Sequence, residues 1–325
     1  MPTSAYNCFS LFFTYIFQIR GHSFIFLPVE KKVPKADWIE IFPDPTGFTI
    51  LDEKFKLVPS KSFHTGQKKR SRKNEILFYA STSGTQSARQ KIVGVSSEAL
   101  LKNVHFFLTR FENRETDTFI VLSPLWFDPA VLVIFEAIFN RSDIILLSKR
   151  ELLTPRLLSD ALTNQKNIRR LFLTPTLVKT LRKVRNANLK YVLIGGEEPV
   201  PHSELIEVFG NIEFYNIYGL TEVSIWACLT EIRPKETKIP LLRSKEEKST
   251  QLLFGITNIV VRNGKIVIQF ENSRQTEVDG EFISQEFETG DFGCVNSQVS
   301  LILTQFCCFF FRPKVFIDLV ASKVA

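Results

Sequence analysis

Ser81-Thr82-Ser83-Gly84-Thr85 stands just after the apolar run 76–79, and Gln86, Ser87, Arg89 and Lys91 follow it. Hydroxyls and backbone amides on a strand-to-helix turn can surround a polyphosphate, with a nearby cation neutralising charge. The same residues also make an ordinary serine-rich turn. Their spacing is not that of the G-x-x-x-x-G-K-[ST] phosphate loop. The choice between these readings depends on the pattern outward from the loop.

From Glu75 to Ile217, short apolar runs alternate with amphipathic segments. Residues 76–79, 119–122, 144–147, 170–173, 191–194 and 213–217 read as strands, and 98–108, 130–139, 156–162, 177–184 and 203–209 as helices. This alternation is the signature of a sheet wound with helices. Thr154 before Pro155 marks a helix start, a capping residue followed by proline at the first helical position. After Ile232 a charge-rich loop leads to a hairpin, 259–261 and 265–268, joined by Asn263-Gly264, a pair that accepts the positive φ such a turn demands. The expected fold is α/β: a doubly wound sheet over 74–235, a β-rich section over 236–293, and an apolar tail over 294–325.

Composition narrows the classes. With 44% hydrophobic and 23% charged residues, the chain is neither disordered nor fibrous. The net charge of +7 is mild for 325 residues, and part of it lies in Lys68, Lys69, Arg70, Arg72 and Lys73, a solvated run without interleaved aromatics. No nucleic-acid partner is expected. The cysteines, Cys8, Cys228, Cys294, Cys307 and Cys308, are odd in number and lack CxxC spacing, so a reducing, cytoplasmic compartment is expected. His22, His64, His105 and His202 are scattered, and no metal cage is readable. The apolar stretch 9–19 is too short to cross a bilayer, and no membrane partner is expected.

Two further segments carry chemistry. Tyr218-Gly219-Leu220-Thr221-Glu222 leaves a strand and offers an aromatic face, a hydroxyl and a carboxylate, suited to an adenine, a phosphate oxygen and Mg²⁺. A capped helix start is the plainer reading. Glu288-Thr289-Gly290-Asp291 puts an acid past a glycine turn, where it could accept ribose hydroxyls or simply face solvent.

Together and in this order, 81–85, Gly195-Gly196-Glu197, 218–222 and 288–291 resemble the adenylate-forming superfamily of acyl-CoA synthetases, luciferases and peptide-synthetase adenylation domains. The likeness covers roughly residues 74 to 293 and is greatest to the beta-alanine-activating branch, through 123–129 and 218–227. The resemblance implies ATP and Mg²⁺ as cofactors. It assigns Thr82, Ser83, Gly84, Thr85 and Lys91 to the β- and γ-phosphates, and Gly196, Glu197 and Tyr218 to the adenine. Thr221 falls to the α-phosphate, Glu222 to Mg²⁺ and Asp291 to the ribose, with Thr221, Glu222 and Lys91 as the catalytic set. Asp128 stands where amino-acid-activating members keep an acid for the substrate's ammonium.

The implied activity is ATP-dependent activation of a carboxylic acid, an amino acid such as beta-alanine, for transfer to a carrier phosphopantetheine or CoA thiol. The phosphate loop departs from the family pattern, since 86–91 lacks the second glycine and the proline. The run 294–325 shows no lid motif and no catalytic lysine, so impaired turnover is expected. A reading of another class is a truncated or decayed nucleotide-binding module without catalysis.

Overall fold

The computed structural model describes residues 24–25, 76–82, 91–124, 127–236, 238–243, 250–253, 256–270, 276–278, 281–283, 285–295 and 301–305. β1 (Phe24–Ile25) runs parallel to β2 (Ile76–Thr82), and β2 pairs antiparallel with β3 (Lys91–Ser96), placing Thr82 opposite Lys91. The loop 83–90 therefore joins two strands of one ladder. The expected strand-to-helix turn is corrected: Ile92, Val93 and Val95 supply the β-branched character of an extended segment before the helix that starts at Ser97. The same ladder takes 76–79 out of the wound sheet, because an apolar run specifies burial but not its pairing partner.

α1 (Ser97–Arg110) starts at Ser96, whose Oγ accepts from the Ala99 amide at 3.2 Å. β4 (Thr118–Val121), α2 (Asp128–Asn140) and β5 (Asp143–Leu146) form a crossover unit with parallel strands. α3 (Lys149–Leu153) and α4 (Pro155–Asn164) lead to β6 (Arg170–Leu173), α5 (Pro175–Thr180), β7 (Tyr191–Gly195), α6 (His202–Phe209) and β8 (Glu213–Tyr218). β6, β7 and β8 are parallel neighbours. Their alternation divides the core: Tyr191, Leu193, Tyr215 and Ile217 join a cluster with α1 and α2, whereas Val192, Ile194 and Phe214 join one with Leu158, Leu162, Leu205 and Phe209 of α4 and α6. This two-sided burial is the doubly wound arrangement. Thr154 is the residue before α4 with Pro155 in its first turn, but its side chain makes no capping bond. The helix expected over 177–184 ends earlier, where Leu181 turns extended at ψ 145°.

After the 3-10 turn Thr221–Val223, β9 (Cys228–Glu231) returns antiparallel to β8, and β10 (Thr250–Leu252) adds to it. β11 (Ile256–Arg262) and β12 (Lys265–Phe270) form the expected hairpin, with Asn263 at φ 51° and Gly264 at φ 79°. β13 (Thr276–Val278) and β14 (Glu281–Phe282) extend the β2–β3 ladder through β3. β15 (Glu286–Val295) and β16 (Leu301–Gln305) complete a four-stranded antiparallel sheet in the order β11-β12-β15-β16. A third cluster, with Tyr218, Leu220, Cys228, Ile259, Ile266, Ile268 and Leu301, joins this sheet to the end of β8.

The apolar tail expected from 294 onward is part of the antiparallel sheet over 301–305. β15 runs past Gly293, β16 pairs with it, and buried Leu301 exchanges backbone bonds with Leu242. An open sheet edge offers ladder partners that an apolar run can take. Residues 306–311, the basic run 68–73 and the stretch 9–19 lie outside the described residues. Among the described residues no helix is long and apolar enough to cross a membrane.

Candidate functional site

The end of β8 is held by what glycine permits. A Cβ on Gly219 would lie 2.2 Å from the Ile225 carbonyl oxygen, so the chain can double back only with no side chain there. The Tyr218 carbonyl accepts from the Ala227 amide at 2.7 Å and closes the loop. Within it, Ser224 (φ 65°) and Ile225 (φ 82°) occupy the left-handed region, a costly state for a β-branched residue. Surrounding groups hold this turn in place: Asn103 Nδ2 of α1 donates to the Ser224 carbonyl at 3.0 Å, and Ser224 Oγ meets Thr276 Oγ1 of β13 at 2.5 Å. The strained loop presents Thr221 and Glu222, both buried, with β3 and β13 packed beside their turn.

Asp128, in the first turn of α2, reaches the same place. Only 3% exposed, its carboxyl is hydrogen-bonded to the Thr221 side chain and lies within the field of Glu222. Burial pushes it up to about 7; the Thr221 bond opposes the rise and the Glu222 charge adds to it. Asp128 Oδ2 has no hydrogen-bond partner among the described residues. A hydroxyl carries one proton, so while Thr221 donates it to Asp128 it cannot also donate to a phosphate oxygen.

The base and ribose assignments also meet. Tyr218 Oη donates to Asp291 Oδ2 at 2.8 Å, with both side chains buried. Asp291 is reached through Gly290 at φ 83°, and its amide donates to Thr289 Oγ1 at 3.1 Å. Thr289 Oγ1 in turn donates to the Ile266 carbonyl at 3.1 Å, tying the turn to β12.

Gly195 lies opposite Ile217 in the β7–β8 ladder, where a Cβ would fall 2.1 Å from the Ile217 carbonyl oxygen. Gly196, at φ 85°, has none of the described residues within 4 Å of the position a Cβ would take, one residue beyond the sheet. Glu197 turns elsewhere: its Oε2 accepts from Thr176 N at 2.8 Å and Thr176 Oγ1 at 2.6 Å at the start of α5. Its Oε1 has no partner among the described residues.

Thr82 and Lys91 close the β2–β3 ladder by backbone pairing, while Ser83, Gly84 and Thr85 lie outside the described residues. The structure thus brings Asp128, Thr221 and Glu222 together, joins Tyr218 to Asp291, and sets Gly195-Gly196 beside the end of β8. Sequence reasoning missed Asn103 and Thr276, which hold the strained turn, and Trp226, whose buried Nε1 has no partner among the described residues. Nothing local marks Asn103 or Thr276, since their partners are distant in the chain.

The Gly195-Gly196 turn and the buried Thr221 and Glu222 follow the carboxyl ends of β7 and β8, the edge of a parallel sheet at which a nucleotide would lie, and a hydroxyl beside a carboxylate suits a phosphate with its cation. Among the described residues no three acidic, cysteine or histidine groups gather for a metal. Mg²⁺ at Glu222 would therefore take its other ligands from phosphate oxygens and water, as this ion commonly does.

The human beta-alanine-activating enzyme is 29% identical over 227 residues, which make up 64% of this chain and 20% of that enzyme. The chain thus spans about a fifth of the length of that relative. Among solved structures, wild-type E. coli MenE, with a bound analogue of OSB-AMS, superposes with a TM-score of 0.56 at 18% identity, covering 86% of this chain and 60% of MenE. The Vibrio cholerae adenylation domain AlmE, in complex with glycyl-adenosine-5'-phosphate, gives a TM-score of 0.56 at 16% identity, covering 73% of this chain and 49% of AlmE. At such identities the likeness speaks for the fold. A family profile described as AMP-binding enzyme matches residues 14–250, and the chain belongs to that family.

Proposed function

We propose that this chain forms the nucleotide-binding part of an enzyme that activates a small carboxylic acid bearing an amino group, such as beta-alanine, as its acyl-adenylate. The observation that carries this reading is Asp128: a buried carboxyl with an unpartnered oxygen, next to Thr221 and Glu222. A buried charge without a partner is costly, and a substrate ammonium would supply the missing counter-charge and hydrogen bonds.

In that chemistry the substrate carboxylate forms a bond to the α-phosphorus of ATP while the bond to pyrophosphate breaks. The acid is already ionised, so no general base is needed and the protein's task is placement and charge neutralisation. Tyr218 and Asp291, bonded to each other, are assigned to the adenine and the ribose. Thr82, Ser83, Gly84, Thr85 and Lys91 are assigned to the outer phosphates, and Thr221 to the α-phosphate once its hydroxyl leaves Asp128. Mg²⁺, bound at Glu222, supplies positive charge to the phosphate oxygens. A thiol, of CoA or of a carrier phosphopantetheine, is the proposed acceptor. For the organisation of the chain we keep residues 74–235 as the wound core and 236–293 as the β-rich section.

The test is calorimetry with two non-hydrolysable acyl-adenylate mimics, the β-alanyl and propionyl sulfamoyl-adenosines. The β-alanyl compound is expected to bind at least about tenfold tighter, since one well-placed ion pair in a dry site is worth that much. Asp128→Ala should erase the preference. Equal affinities in the unaltered protein would remove the amino-acid reading.

A further inference from the structure

α2 is apolar all round. From Asp128 to Ala137 every side chain is buried, between α1 on one side and β4 with β5 on the other. Such packing is strong but non-directional, and an all-apolar helix surface defines its rotation and axial position weakly. Within this buried stretch the charged residues are Asp128 and Glu136.

Glu136 is 0% exposed and its Oε2 accepts from Arg170 Nη2 of β6 at 2.6 Å. The guanidinium is itself fixed from several elements. Its carbon lies 5.0, 5.1, 5.4 and 5.7 Å from the ring centroids of Phe111, Phe172, Phe107 and Phe119, and Nη1 donates to the Phe107 carbonyl at 3.1 Å. The pair is not a comfortable one. Glu136 Oε1 and Arg170 Nε lack partners among the described residues, and burial opposes both charges, raising the carboxyl and lowering the guanidinium. Well-packed apolar residues in place of a buried pair are often neutral or stabilising, so stability alone does not explain it. Its directional bond does supply what the rest of α2 lacks.

Eight residues separate Glu136 from Asp128, about 12 Å along the helix and about 80° around it. A slip of one residue would move Asp128 by about 1.5 Å and turn it by about 100°, enough to break its contact with Thr221. We infer that the Glu136–Arg170 pair sets the register of α2, and through it positions Asp128 for a substrate ammonium. The substrate half of this inference rests on the reading proposed above; the register half does not.

The test replaces both partners, Glu136→Met with Arg170→Met, in the full chain, alongside Asp128→Ala. Methyl NOEs between Val131 and Leu132 of α2 and Leu100 and Val104 of α1, which share one buried cluster, report the register. The double variant is expected to melt no lower than the parent, to lose or exchange these NOEs, and to lower the preference for the β-alanyl over the propionyl mimic at least tenfold. Native NOEs in the folded double variant would overturn the inference. Should that variant not fold, Arg170→Lys keeps the charge but lacks the planar fork, and it is expected to lower the preference severalfold; an unchanged preference would overturn the inference there. If Asp128→Ala leaves the preference intact while the double variant moves the NOEs, the substrate reading fails and the register lock stands.

Discussion

Tyr218 and Asp291 lie 73 residues apart and are joined by one buried hydrogen bond, Oη to Oδ2 at 2.8 Å. That bond ties the end of a strand in the wound sheet to the glycine turn of the β-rich section. The aromatic face and the acid therefore do not vary independently: whatever displaces one removes support from the other.

Tyr218→Phe keeps the ring and removes the donor, leaving a fully buried carboxylate with one bond fewer. The expected loss is about 1 to 3 kcal/mol of stability, read by urea unfolding at neutral pH. Asp291→Ala should weaken ATP binding by about 1.5 to 3 kcal/mol, since a charged acceptor is lost. Unchanged calorimetric affinity would take Asp291 out of the nucleotide site.

Asp128 gives a pH dependence of definite sign. Burial pushes its folded carboxyl up to about 7 from an ordinary value of 3.8, so the folded state holds the proton more tightly than the unfolded chain. The stabilising contribution is full below the unfolded value and is lost as pH rises through the folded one. Over that window the slope approaches about 1.4 kcal/mol per pH unit. Asp128→Asn cannot titrate, so the variant should gain stability relative to the parent between pH 5 and pH 8. Parallel urea curves at both pH values would show that Asp128 is not held in a desolvated site.

Gly195→Ala and Gly219→Ala each drive a methyl against a backbone carbonyl, at 2.1 and 2.2 Å. A backbone oxygen cannot turn aside, so the cost should reach or pass the upper end of the usual overpacking range of about 1 to 3 kcal/mol. Gly196→Ala meets none of the described residues within 4 Å and costs what its positive φ demands, about 1 to 2 kcal/mol. Thermal melts of the three variants should rank Gly196→Ala as the mildest.

Leu301 is buried against the third cluster, and its strand completes the antiparallel sheet. Leu301→Ala should cost about 2 to 5 kcal/mol, as buried leucines do. Deleting residues 294–325 removes β16 and the end of β15 and should cost more still. Equal soluble yield and melting temperature after that deletion would show that β16 is dispensable.

Local sequence determined a good deal of this protein. The Asn263-Gly264 turn, the apolar runs that became β4 to β8, and the helix start at Pro155 follow from φ preference and burial demand, which act over a few residues. The four motifs also showed which segments to examine. Only the tertiary structure decided how they meet. That 83–90 joins two strands of one ladder, that Glu197 meets Thr176, and that 301–305 is a strand all depend on pairing partners far away in the chain. Asp128 is a polar residue at a helix start until Thr221 and Glu222 are folded against it; its raised pKa is a property of the desolvated space they share. Glu136 is a carboxylate inside an apolar helical run, and its pairing with Arg170 is decided by the fold, because hydrophobic periodicity records which faces are buried and carries no information on which buried charge lies opposite.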